Sequence, residues 1–153
     1  MNADTTSDHT FDTYLERYFT FLEERNLRNT HERGVVVISV YEQDTHFTVM
    51  SLKKYIRHKK RYISRTSLYE TLNLLTEAGL VVKHHFSDKV MPQYEKNDAN
   101  SPHNHVYKED TQTVIEFSDS RIDDVIKDIE KEYNVSVLRH SFTVYCNSKI
   151  VNS

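Results

Sequence analysis

Phe11, Tyr14, Leu15, Tyr18, Phe19 and Leu22 recur at the three- and four-residue spacing that lines one side of a helix, and predict an amphipathic helix over residues 10–25. Thr30 then has the chemistry of an N-cap, but the β-branched run at 35–40 favours a strand, so local pattern leaves that segment open. Thr48 opens a short helix with Met50, Leu52, Tyr55 and Ile56 on its apolar side, running into basic residues 57–61. Ser64 caps a further helix carrying Leu68, Leu72 and Leu75 inward and Arg65, Thr66, Tyr69 and Asn73 largely outward. Gly79 falls where a left-handed C-terminal cap belongs. Two short extended runs, 80–86 and 91–95, flank Ser87, Asp88 and Lys89 and read as a hairpin. Helices followed by a hairpin give the order of a winged helix-turn-helix.

Residues 96–102 are polar, hold no large apolar side chain and end in Pro102, which marks them as a hinge between domain 1–95 and domain 103–153. The second domain shows strands near 103–108 and 112–117. A helix follows with Ile122, Val125, Ile126, Ile129 and Tyr133 on one stripe, then a strand over 135–146. The fold class is therefore α+β, a winged helix-turn-helix followed by a small α/β domain. A small sheet with one covering helix cannot bury both faces and its edge, so self-association is expected.

Composition narrows the functional classes. No apolar run approaches the roughly 20 residues of a membrane span, and the N-terminus lacks the basic-then-apolar pattern of a signal peptide, so a soluble cytoplasmic chain is expected. The single cysteine, Cys146, excludes an internal disulfide and any two-cysteine zinc clip within one chain. Net charge is only −3, but its distribution is uneven. Residues 47–68 contain no acid and carry Lys53, Lys54, Arg57, Lys59, Lys60, Arg61 and Arg65, whereas residues 109–132 are dominated by Asp and Glu. The first half is built for phosphate. His103 and His105, two apart on a strand, project from one face and can share an ion. Taken alone, such a pair is more often a surface feature than a ligand set.

Three signatures, in this order and spacing, resemble the ferric uptake regulator family over nearly the whole chain from Leu27 to Tyr145. Ile63-Ser-Arg-Thr-Ser-Leu-Tyr-Glu-Thr-Leu72 running into Glu77-Ala-Gly-Leu-Val81 resembles the family's recognition helix and its exit into the wing. His103-Asn-His105 with Val114-Ile-Glu-Phe117 resembles its histidine motif and following strand, and His140 resembles the histidine of its last strand. The resemblance implies a helix rather than a strand at 35–40. It also implies a homodimer that binds double-stranded DNA at a pseudo-palindromic operator, and a metal-responsive repressor of metal or iron homeostasis genes rather than an enzyme.

By position, the resemblance implies metal ligands at His46, Glu95, His103, His105 and Glu116, a nitrogen and carboxylate set suited to ferrous iron, with zinc or manganese also compatible. A second site falls on Asp123 and His140, but Pro102 and Asn104 stand where the family has a histidine and an aspartate, so that site is expected to be absent or weak. His140 by itself reads as a hydrogen-bonded core histidine sharing a strand face with Leu138, Phe142 and Val144. Lys108 and Thr111 replace the family's first cysteine pair, so no four-cysteine structural zinc is expected.

For DNA, the resemblance implies Ser67 and Tyr69 on the recognition helix with Arg65 and Thr66 at its start, and Arg28 toward the minor groove. Glu70 departs from the arginine usual there, and Lys59 and Lys60 are expected to offset it on the phosphate backbone. A peroxide- or haem-responsive regulator is the alternative, disfavoured by glutamate rather than aspartate at 95 and 116. A small zinc hydrolase is disfavoured by the lack of a nucleophile and base pair or a glycine-rich loop, the chain having two glycines.

Overall fold

A computed structural model describes residues 5–97 and 103–149, with side chains from residue 10 onward. The chain divides into two compact units, one ending at Asp98 and one starting at Ala99.

The first unit contains α1 (Thr5–Glu24), α2 (His31–Tyr41), α3 (Val49–His58), α4 (Arg65–Glu77) and a hairpin of β1 (Val81–His84) with β2 (Gln93–Lys96). Each interior helix begins at the residue whose side chain can satisfy a stranded N–H. Thr30 Oγ1 accepts from Arg33 N at 3.2 Å, Thr48 and Ser51 form a reciprocal capping box, and Ser64 Oγ accepts from Ser67 N at 3.0 Å. α4 ends where Gly79 turns left-handed at φ 67°, with Leu80 N donating to Leu75 O at 2.9 Å.

The ambiguous run at 35–40 is helical and lies within α2. Val35, Val36, Val37 and Val40 are all buried in the shared core, and among residues 35–40 only Ile38 is an exposed apolar side chain. Burying a valine contributes about 1.5 kcal/mol or more. The intrinsic helix penalty of a β-branched residue is at most about 0.7 kcal/mol, so packing decides the conformation. Leu68, Leu72 and Leu75 of α4 enter the same core, as the spacing predicts.

The wing is tied down at both ends. Phe47 and Tyr94 exchange backbone hydrogen bonds of 2.8 and 2.7 Å, which join the loop before α3 to β2. Of the segment predicted as a hinge, Lys96 lies in β2 and donates from Nζ to Tyr41 O at 2.7 Å. Asn97 donates from its backbone to Leu80 O and from Nδ2 to Gly79 O. Residues 98–102 lie outside the described residues.

The second unit is a three-stranded sheet in the order β4 (Thr113–Phe117), β3 (Asn104–Lys108), β5 (Thr143–Cys146), with α5 (Ser120–Tyr133) between β4 and β5 in sequence. β3 pairs antiparallel with β4 and parallel with β5. α5 starts at Asp119, whose carboxylate accepts from Arg121 N at 3.0 Å, and ends at Asn134 in the left-handed region.

Two expectations need correction. The strand predicted over 135–146 contracts to Thr143–Cys146, because only this stretch reaches the edge of β3 for pairing. Val135 and Leu138 therefore lie outside any ladder, and Leu138 is 95 % exposed. The helix expected to cover the sheet buries none of its residues, so its apolar stripe at Val125, Ile129 and Tyr133 faces outward. Among the described apolar side chains of this unit, only Tyr107 is buried.

Candidate metal centre and nucleic-acid surface

In the first unit, three separate backbone constraints bring three donors together. The Phe47–Tyr94 bridge sets His46 beside Glu95, and His46 Nε2 lies 3.2 Å from Glu95 Oε2. In the β1–β2 register Val82 opposes Glu95 and His84 opposes Gln93, so His84 is a same-face diagonal neighbour of Glu95. His84 Nε2 lies 2.6 Å from Glu95 Oε1. Phe86 stacks on the His84 ring at 5.2 Å and 11°, which fixes the imidazole plane. All three side chains are largely withdrawn from water, at 8, 13 and 11 % exposure for His46, His84 and Glu95. One donor atom from each lies within 4.8 Å of the others, a spacing that two imidazoles and a carboxylate around one cation require.

His84 was not among the ligands that the sequence suggested. It is adjacent to His85 in the sequence, and only the strand register distinguishes which of the two shares a face with Glu95. The expected ligands His46 and Glu95 are in direct contact, as shown by their 3.2 Å separation.

In the second unit, His103 immediately precedes β3 and His105 lies on it, with ring centroids 5.0 Å apart and nearly perpendicular. His105 pairs across the ladder with Glu116 of β4, and His103 Nε2 is 4.0 Å from Glu116 Oε1. His105 is buried, whereas the Glu116 carboxylate is about half exposed at 48 %. Three of the expected donors thus share one end of the β3–β4 pair.

Asp123 and His140 have a different setting. Asp123 lies exposed in the first turn of α5, and neither residue belongs to a described group of three or more close donors. The reading of His140 as a core histidine is not supported, because it is exposed and precedes β5 rather than sharing its face. Cys146 ends β5 as a free thiol.

Of the expected DNA-contacting residues, Lys59, Lys60, Arg65, Thr66, Ser67 and Tyr69 lie in the first turns of α4 and the loop before it, while Arg28 lies before α2. Arg28, Lys59, Lys60, Arg65 and Thr66 are exposed, while Ser67 and Tyr69 are half-buried. Lys59 is engaged by Tyr55 and by Glu42 at 3.6 Å, which raise its affinity for its proton. The Arg65 guanidinium lies over the Tyr69 ring at 5.7 Å, so the arginine is held above the helix surface. A further acidic group was not apparent from the sequence pattern. Glu32, in the first turn of α2, accepts from Ser64 Oγ at 3.2 Å, and hydrogen bonding from Ser67 and then Ser64 holds its carboxyl below the usual range.

A winged helix-turn-helix followed by a small α/β unit, with imidazole and carboxylate donors in each, defines a class of metal-responsive transcription regulators. The model of the ferric uptake regulator family matches residues 24–145, and the chain belongs to that family. It is 31 % identical over 147 residues to the ferric uptake regulation protein of Campylobacter jejuni, covering 91 % of this chain and 92 % of that protein. The Helicobacter pylori ferric uptake regulator, whose structure reveals three functional metal-binding sites, superposes with a TM-score of 0.75 at 25 % identity, covering 90 % of this chain and 91 % of that one. The Pseudomonas aeruginosa regulator with manganese superposes with a TM-score of 0.74 at 25 % identity, covering 84 and 96 %. No helix among the described residues is long and apolar enough to cross a membrane.

Proposed function

We propose that this protein represses metal or iron homeostasis genes in response to a divalent cation, with ferrous iron as the physiological ion. His46 and Glu95 of the first unit and His103, His105 and Glu116 of the second are the proposed ligands. The contact between His46 and Glu95 at 3.2 Å, within a set of nitrogen and oxygen donors that fits a borderline cation, carries this reading. When bound, the ion supplies charge to these donors and so favours the DNA-competent state of a homodimer.

The recognition helix α4, with Arg65, Thr66, Ser67 and Tyr69, is proposed to enter the major groove, while Arg28, Lys59 and Lys60 meet the backbone. Two chains related by a twofold axis imply a pseudo-palindromic operator with half-sites about one helical turn apart. The family resemblance and the exposed basic residues around α4 support this assignment.

Mobility shift on a pseudo-palindromic operator, with and without added Mn2+ or Fe2+, tests the reading. Coupling of the usual size strengthens binding by roughly one to two decades, and His103→Ala is expected to lose that increment. Equal affinity with and without the ion overturns it.

A further inference from the structure

We propose that His84, on the wing, is a metal ligand, and that His46, His84 and Glu95 take up one divalent cation within the first unit alone. This deepens the reading above and rests on its assignment of His46 and Glu95 as ligands. Three observations support it. The Nε2 atoms of His46 and His84 approach different oxygens of one carboxylate, at 3.2 and 2.6 Å, so the two imidazoles converge on Glu95 from separate elements. All three groups are largely buried, and a buried cluster of two imidazoles and a carboxylate is costly unless the groups bond one another or a cation. Finally, the positions are fixed by backbone: the Phe47–Tyr94 bridge, the hairpin register and the Phe86 stack each hold one side chain.

Two imidazoles and a carboxylate make a three-ligand set with open positions, as in sites that accept further donors after the metal has arrived. The first unit then loads the ion by itself, and the donors of the second unit raise its affinity. His84 thereby becomes a determinant of the lower limit of the sensing range.

The test uses the full chain carrying His103→Ala, His105→Ala and Glu116→Ala, titrated with Co2+ and followed by visible absorption and X-ray absorption at the cobalt edge. One Co2+ per chain with two imidazole ligands is expected. Adding His84→Gln retains a side chain that can hydrogen-bond Glu95, while removing a good ligand. It is expected to weaken Co2+ binding about tenfold or more and to reduce the imidazole count from two to one. Circular dichroism checks that both variants are folded. Absence of Co2+ binding in the folded triple variant overturns the proposal, as does an affinity that His84→Gln leaves unchanged. Failure of the broader reading is seen separately, as operator binding by the unmodified chain that ignores the ion.

Discussion

Phe47 and Tyr94 stack at 5.9 Å with their rings 19° apart, and their backbones exchange two hydrogen bonds. Both side chains are buried, and their sequence neighbours are His46 and Glu95. The apolar pair thus holds the two proposed ligands in register.

Tyr94→Ala is therefore expected to do two things. Truncating a buried aromatic side chain costs about 3–5 kcal/mol, measurable by denaturant unfolding. It also frees the loop that carries His46, so affinity for Co2+ should fall even where the protein remains folded. Tyr94→Phe keeps the stack and should preserve metal affinity. Isothermal titration of both variants checks this, and a Tyr94→Ala protein with undiminished affinity would sever the packing from the site.

Asp119 gives a pH dependence. The Arg121 side chain and backbone N–H donate to it and hold its carboxyl at about 2, below its ordinary 3.8. A depressed folded value stabilises α5 above the unfolded value, and that contribution disappears as pH falls from about 4 to about 2. Helical circular dichroism should show a component lost across this window. Asp119→Asn can still cap the helix but carries no charge, so this component should be missing in the variant.

The outward stripe of α5 predicts association. Val125, Ile129 and Tyr133 are exposed, at 56, 37 and 66 %, and follow one another at helical spacing. Placing a charge there with Ile129→Glu should shift a dimer toward monomer by about tenfold or more, since burial of a charged side chain opposes pairing. Sedimentation equilibrium over a dilution series reads the shift. An unchanged dimer constant would move the interface elsewhere.

Periodicity in the sequence marked α1, α3, α4 and α5, because each carries an apolar stripe, with Thr48 and Ser64 adding caps for α3 and α4. α2 was hidden for a physical reason. Valine favours strands locally, and its helical state depends on a core assembled from residues distant in sequence, such as Leu52 and Leu72. The last strand was overextended because alternating apolar residues at 135–142 signal a face to be covered, not the strand partner that covers it. At the site, residue type and the family pattern pointed to His46, Glu95, His103, His105 and Glu116. His84 depended on hairpin register, and Glu32 on the approach of α2 to the start of α4, neither of which a linear pattern encodes.

The Glu32 carboxylate has one more consequence. Ser64 donates its one hydroxyl proton to Glu32 at 3.2 Å and accepts from Ser67 N at 3.0 Å, so a single hydroxyl links the α2 carboxylate to the first turn of α4. An acid on one helix thus orients the cap of another, and the start of α4 is anchored from outside its own sequence.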